Sequence, residues 1–156
     1  MIKLRLCEAA DREQWVRLNR AFMEWELADE GFWNDVQKTD DEAFARIFHE
    51  ALEHPELSTL FMVEEGDKAI GFANLMTIFS VWAGGKALIL DDLFLLEEYR
   101  GKGYGRAVME AIEAHAGQAG YKRLQFQSEF SNPKAHDFYT HLGYESEEMH
   151  FYVKYL

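Results

Sequence analysis

Residues Leu90 to Ala116 read LDDLFLLEEYRGKGYGRAVMEAIEAHA and carry the clearest signal of the class of fold. An apolar run typical of a strand leads into three alternating glycines, and a helical pattern follows. Glycine leaves backbone N–H groups unobstructed, and a helix N-terminus carries partial positive charge. Arg100, Lys102 and Arg106 add cationic side chains. The loop therefore predicts a cradle for an anion; taken alone, a plain helix cap with solvated cations is an equal alternative.

Two other phosphate-binding motifs do not fit this stretch. A Walker loop needs GxxxxGK followed by Ser or Thr, and the sequence contains no such run. The dinucleotide fingerprint GxGxxG fails because, counting from Gly101, its sixth position is Arg106. The strand before the loop also follows an antiparallel meander and does not open a βαβ unit.

Length, composition and charge narrow the class of protein. The chain has 156 residues, of which 48% are hydrophobic and 15% aromatic, and this predicts one globular domain over residues 1–156. The net charge of −12 disfavours nucleic acid and favours cationic partners. No apolar run approaches the roughly 18 residues of a membrane span, so we expect a cytoplasmic protein. The single cysteine, Cys7, predicts a small buried hydrophobic side chain.

The order of predicted elements is strand, two helices, three antiparallel strands, helix, strand, helix and strand. The first helix follows a cap at Asp11 and extends to about Ala28, and residues 122–130 and 144–156 form the last two strands. A crossover at the third helix should leave two neighbouring strands parallel. The pattern predicts a mixed α/β fold.

Two motifs in this order resemble the Gcn5-related N-acetyltransferase (GNAT) superfamily. YRGKGYGR is similar to its pyrophosphate loop through Arg100, Gly103 and Gly105. NPKAHDFYTHLGY is similar to a later segment of that family. The matching positions of the second motif are Asn132, Ala135, Phe138, Tyr139, Gly143 and Tyr144.

The resemblance implies a mostly antiparallel sheet of six to seven strands, with a splayed parallel pair that forms a cleft for acetyl-CoA and with no metal. A homodimer is implied by the same analogy. The histidine spacings indicate no metal site either. The positions expected to bind acetyl-CoA are Leu93, Phe94, Leu95, Arg100, Gly101, Lys102, Gly103, Tyr104, Gly105, Arg106, Asn132, Lys134, Ala135, Phe138 and Tyr139.

The same resemblance assigns catalytic roles. Tyr139 matches the tyrosine that protonates the leaving thiolate, with core packing as its alternative role. Either Asp91 or Asp92 could order a water that receives the proton of the amine, or could anchor a cationic substrate. Because they are consecutive on a strand, only one of them should line the acceptor site, and an exposed strand edge is the alternative interpretation. Glu129 is the reserve candidate.

The acceptor side is similar to the diamine (spermidine/spermine) acetyltransferase branch through Trp82, Asp91 and Asp92. From Glu24 to Glu42 the chain carries eight acids and one base among aromatic residues, a composition that attracts a polycation or forms a solvated face. The predicted acceptor-binding residues are Trp25, Glu26, Trp33, Trp82, Asp91, Asp92 and Glu129.

These observations predict an acetyl-CoA-dependent N-acetyltransferase that acts on a small cationic primary amine, such as a polyamine, a diamine or a lysine-like amine. Two alternatives stay open: a catalytically silent acyl-CoA sensor, and an enzyme that acetylates protein lysines or N-termini.

Overall fold

The computed structural model describes residues 1–28 and 39–156. These residues divide into two compact units, Met1–Phe126 and Gln127–Leu156, which are described in turn. Among the described residues, no helix is long and apolar enough to cross a membrane.

The first unit is built on a mixed sheet with the strand order β1-β2-β3-β4-β5. Its strands are β1 (Ile2–Leu6), β2 (Ser58–Glu65), β3 (Lys68–Ser80), β4 (Gly85–Leu95) and β5 (Arg123–Gln125). The first four pair antiparallel, and β4 pairs parallel with β5. The parallel pair predicted from the crossover is thereby confirmed.

The α-helices described in this unit are α1 (Arg12–Glu26), α2 (Asp41–Glu53) and α3 (Tyr104–Gln118). Before α1, the Asp11 carboxylate accepts a hydrogen bond from the backbone N–H of Glu8 and pairs with Arg5. Before α2, the Asp40 side chain accepts a hydrogen bond from the backbone N–H of Ala43. Asp40 is therefore a side-chain cap of α2, whereas Asp11 occupies the N-cap position of α1 without a side-chain capping hydrogen bond.

Aromatic side chains form the core between α1, α2 and the sheet. The Trp15 ring lies 5.2 Å from that of Phe48 and 6.4 Å from that of Phe72, centroid to centroid. Phe94 of β4 packs 5.9 Å from Phe72. Cys7 is buried in the same cluster, as expected, and burial raises its thiol pKa to about 12.

The second unit contains α4 (Pro133–His141), which begins at an Asn132 cap that accepts a hydrogen bond from the N–H of Ala135. The strand predicted over residues 144–156 does not form, and β5 is paired only over Arg123–Gln125. The described part of the sheet thus has five strands. The prediction of six to seven strands was wrong, and the prediction of a mixed α/β fold is confirmed. A strand is defined by backbone pairing with a neighbour, and alternation alone does not supply that partner.

Candidate active site

A β-bulge brings the two consecutive aspartates of β4 to one cavity. Asn74 of β3 lies opposite Asp92 while Leu75 lies opposite Leu90, so Asp91 is the extra residue of β4. On a regular strand the side chains of Asp91 and Asp92 would point to opposite faces. At this bulge both line the same cavity, so the expectation that only one would do so does not hold.

The cavity has a volume of about 230 Å³. Helices α1 and α2 and strands β2, β3 and β4 all contribute to its walls. Trp15, Phe44 and Leu60 are among its apolar lining residues. The polar side chains are Ser58, Asn19, Asn74, Asp91 and Asp92. An apolar cleft with a few convergent polar groups is typical of a small-molecule site.

Desolvation raises the pKa of both carboxylates of the cavity. Desolvation raises the pKa of Asp92 to about 6; its hydrogen bond from Asn74 opposes this shift, and the neighbouring charge of Asp91 adds to it. Desolvation also raises the pKa of Asp91. A carboxylate that titrates near neutral pH is suited to accept a proton in a reaction.

Sequence reasoning missed Asn74, whose Nδ2 donates to Oδ2 of Asp92 over 3.0 Å. The signal was available: asparagine is disfavoured inside strands, and Asn74 interrupts the apolar run of β3. Its contact with Asp92 depends on the register of β3 against β4, which periodicity does not define.

The glycine loop leads directly into α3. Gly101 and Gly103 have φ values of 72° and 81°, in the left-handed region that favours glycine. Gly103 occupies the N-cap position of α3 without a side-chain cap, and its carbonyl accepts the N–H of Ala107. The first backbone N–H groups of α3 lack intrahelical acceptors and are available to an anionic ligand.

Arg100 connects this loop to β4 and α1 through side-chain contacts. Its Nε donates to the carbonyl of Leu95 at 2.8 Å. Its guanidinium carbon lies 4.9 Å from the centroid of the Trp25 ring and 5.3 Å from that of Phe94. The structure thus joins a predicted cofactor residue to Trp25, which had been predicted to bind the acceptor.

The other cationic and aromatic residues of the loop lie mostly at the surface. The Lys102 ammonium sits 5.2 Å from the Tyr99 ring centroid, and Arg106 pairs with Glu110 at 3.8 Å. The Tyr104 hydroxyl donates to the carboxylate of Glu65 on β2. Farther back on β4, Phe94 is buried, and Leu93 and Leu95 are half-buried.

Other predicted acceptor residues lie away from the cavity. Trp82 is 97% exposed at the turn between β3 and β4. A rise of roughly 3.3 Å per residue puts about 20 Å of strand between that turn and Asp91. Glu26 ends α1 and is not part of the cavity wall, and Trp33 lies outside the described residues.

The acidic segment Glu24–Glu42 is described only in part, since residues 29–38 lie outside the described ranges. Of the remaining acids, Asp40 caps α2. Asp41 pairs with Arg20 at 2.5 Å and Glu42 pairs with Arg46 at 3.2 Å. These three carboxylates have structural roles at the start of α2.

In the second unit, Tyr139 is half-buried on α4, with the rings of Phe138 and Tyr144 at 5.0 and 6.2 Å. Burial raises its pKa, which keeps the phenol protonated at neutral pH. Ala135 is half-buried and Lys134 is exposed on the same helix. Glu129 is exposed and accepts a hydrogen bond from Ser131.

Within residues 1–28 and 39–156, no group of three or more His, Cys, Asp or Glu side chains is arranged to hold a metal ion.

The start of α3, which has no side-chain cap, and the cavity with two carboxylates lie on consecutive elements of one unit. The model of the acetyltransferase (GNAT) family matches residues 15–144, and the chain belongs to this family. It is an acetyl-CoA-dependent N-acetyltransferase by class. The positive-φ glycines and uncapped amides of the loop fit the diphosphate of acetyl-CoA.

Two curated relatives and one solved structure illustrate the similarity. The chain is 35% identical over 111 residues to the uncharacterized N-acetyltransferase YhfO of Bacillus subtilis, covering 71% of this chain and 74% of the relative. It is 26% identical over 150 residues to the D-amino-acid N-acetyltransferase HPA3 of Saccharomyces cerevisiae, covering 95% and 88%. The fold matches that of aminoglycoside N-acetyltransferase AAC(6')-Iy in complex with CoA at a TM-score of 0.76 and 19% identity, over 99% of this chain and 95% of that one.

Proposed function

We propose that this enzyme acetylates a small cationic primary amine and that Asp92 accepts the proton of the attacking amine. The observation that carries the proposal is the cavity that holds Asp91 and Asp92 together, one of them with a pKa of about 6. HPA3, by its name, acts on D-amino acids, and this relative supports a small acceptor.

The two carboxylates suit an acceptor that arrives as an ammonium ion. Negative charge in a partly desolvated cavity attracts the cation, and the half-buried ring of Phe44 contributes apolar surface for its carbon chain. The pKa of Asp92 leaves it mainly ionised at neutral pH, so it can accept a proton as the new N–C bond develops.

The acetyl donor supplies an activated thioester when bound. The N-terminus of α3 and the loop from Arg100 to Arg106 bind its diphosphate, with Leu93 to Leu95 alongside and with Asn132, Lys134, Ala135 and Phe138 as further contacts implied by the motif. Arg100 acts mainly by holding the loop, because its guanidinium is engaged by Leu95 and Trp25.

Tyr139 protonates the departing thiolate. A phenol is protonated at neutral pH and can donate to the thiolate, and burial, which raises the pKa of Tyr139, keeps it in this form. In the overall reaction an N–C bond forms and a C–S bond breaks. The ammonium loses two protons in all. One passes to Asp92 and from there to solvent, and the other restores, by way of solvent, the proton that Tyr139 gives to the thiolate.

Initial-rate measurements of thiol release test the acceptor class. The panel contains putrescine, spermidine, lysine, D-lysine and a lysine-containing peptide, each with acetyl-CoA at two salt concentrations. We expect the highest kcat/KM for a small amine and a KM that rises with salt, because salt screens the attraction to the cavity. Preference for the peptide would instead indicate protein acetylation, and acetyl-CoA binding without turnover on any amine would indicate a silent sensor.

The diamine branch, a homodimer and a cytoplasmic location are the finer proposals that the resemblance adds. Activity on diamines in the panel above and the mass of the protein in solution test the first two.

A further inference from the structure

A chain of polar side chains connects α1 to the bulge of β4 through the core. The Trp15 indole N–H donates to Oδ1 of Asn74 at 3.1 Å. The Nδ2 of Asn74 donates to Oδ1 of Asn19 and to Oδ2 of Asp92, each at 3.0 Å. Asn19 in turn donates from Nδ2 to the carbonyl of Trp15 at 2.8 Å.

The indole at one end fixes the orientation of every amide in this chain. An indole N–H can only donate, so the oxygen of Asn74 must lie towards Trp15. The NH₂ group of Asn74 is then directed at Asn19 and Asp92. Asp92 therefore always meets a donor from Asn74, and the alternative amide orientation, which would present an oxygen to the carboxylate, is excluded.

Burial makes this arrangement stiff. Trp15 is 2% exposed and Asn19 5%, and Asn19 is the buried polar residue of the described ranges. Leaving a buried donor or acceptor unpaired costs about 1–3 kcal/mol, which penalises rearrangement of the chain. Register adds a further constraint, since Asn74 lies directly opposite Asp92 across β3 and β4.

We propose that Asn74, held by Trp15 and Asn19, is a positioning residue for acetyl transfer: it binds Oδ2 of Asp92 and thereby leaves Oδ1 to receive the proton of the amine. The proposal rests on the proposed role of Asp92 as proton acceptor. In this scheme Asn74 acts through Asp92 and takes no part in the proton transfer itself.

The groups around Asp92 determine in which direction its pKa should change when Asn74 is substituted. Asp91 is the other titratable residue among those that line the cavity, and α1, α2, β2 and β3 contribute neutral side chains to it. The Asn74 bond lowers the pKa of Asp92 against the effects of burial and of Asp91. Loss of this bond should therefore raise that pKa and reduce the fraction of Asp92 able to accept a proton.

The test compares Asn74→Leu, Trp15→Phe and a matched control. Thr77→Val removes another side-chain hydrogen bond of β3, the 2.6 Å contact with the Tyr121 hydroxyl, away from Asp92. For the best amine of the panel, we expect Asn74→Leu to lower kcat at pH 6.5 about tenfold or more and to move the acidic limb of the pH profile upward. Trp15→Phe should give a smaller change in the same direction, and Thr77→Val should follow the wild type in its pH profile.

A second readout does not depend on turnover. Carbon-13 NMR titration of the Asp92 carboxyl, assigned with Asp92→Asn, should show a higher pKa in Asn74→Leu than in the wild type. If the wild type acetylates no amine, the proposed function fails, while this NMR shift still supports the hydrogen bond from Asn74 that the proposal requires. If Asn74→Leu does not fold, the double variant Asn19→Leu, Asn74→Leu replaces the polar pair by apolar side chains and provides the same measurements. A pH profile and a carboxyl titration that both match the wild type would overturn the proposal.

Discussion

The guanidinium of Arg100 lies over the ring of Trp25 at 4.9 Å, so the glycine loop and the end of α1 contact each other through one side-chain pair. Arg100 also donates to the carbonyl of Leu95 at 2.8 Å. Arg100 therefore contacts both β4 and α1, and these two contacts hold the loop that precedes α3.

We expect Arg100→Lys to raise the KM for acetyl-CoA several-fold with little change in the KM for the amine. Lysine keeps the charge, but it lacks the planar group that stacks on Trp25 and the Nε that binds Leu95. Trp25→Leu should give a smaller rise, and the double variant should show less than the product of the two, because both changes disrupt one contact. Arg46→Lys, at an exposed position of α2, is the control. If the rise in the KM for acetyl-CoA in the double variant equals the product of the two single rises, Arg100 and Trp25 are not coupled.

Asp92→Asn should lower kcat by a factor of about 10²–10⁴ if Asp92 is the proton acceptor. The same variant should change stability in a pH-dependent way. The folded pKa of about 6 lies above the unfolded Asp value of about 3.9, so the wild type loses stability as the pH rises through 6. The Tm difference, variant minus wild type, should be largest above pH 7 and shrink as the pH falls from 6 towards 4.

Calorimetry at several pH values measures this difference. Asp67→Asn, in the turn between β2 and β3, makes the same change of charge outside the cavity and provides the control. If the Tm difference between Asp92→Asn and the wild type is constant from pH 4 to 8, burial does not raise the pKa of Asp92.

Asp91→Asn should move the acidic limb of the pH profile to lower pH, whereas Asn74→Leu should move it to higher pH. The charge of Asp91 raises the pKa of Asp92, so its removal should lower that pKa and move the acidic limb of kcat/KM to lower pH. The KM for a cationic amine should also rise, because the cavity loses one of its two carboxylates. An unchanged limb would mean that the two carboxylates do not interact.

Local patterns predicted most of the elements but not the register between them. The start of α3 after Gly103 and the Asn132 cap of α4 follow from turn and cap chemistry within a few residues. The bulge at Asp91 depends on how β3 pairs with β4, a long-range property. For that reason the sequence indicated two aspartates but predicted that they would face opposite sides, and it missed Asn74.

The predicted strand over residues 144–156 shows the same limit. Its alternation of polar and apolar residues resembles a half-buried strand, yet Met149, Tyr152 and Tyr155 are exposed and the segment pairs with no other strand in the described part of the sheet. Likewise, the sequence placed Trp82 near the aspartates by motif, whereas the length of the hairpin separates them.

Gly71→Ala should destabilise the protein by about 1–3 kcal/mol, although the substitution adds one methyl group. A Cβ at Gly71 would lie 2.2 Å from the carbonyl oxygen of Phe94 and 2.7 Å from Cδ2 of Leu95, so β3 and β4 would have to separate. Gly117→Ala is the matched control, because its Cβ meets no atom within 4 Å and α3 gains helix propensity. Urea unfolding should show the two variants shifting the midpoint in opposite directions, and equal midpoints would contradict the close approach of the strands.

Tyr139→Phe distinguishes a proton donor from a residue that only packs. Removing the hydroxyl keeps the ring that contacts Phe138 and Tyr144, so the Tm should change little. If Tyr139 protonates the thiolate, kcat should fall by a factor of about 10² or more while the Kd for acetyl-CoA, measured by calorimetry, stays within twofold. Tyr155→Phe, at an exposed position of the same unit, is the control for loss of a phenol hydroxyl. A Tyr139→Phe enzyme with the kcat of the wild type would leave packing as the role of this side chain and would require another proton donor.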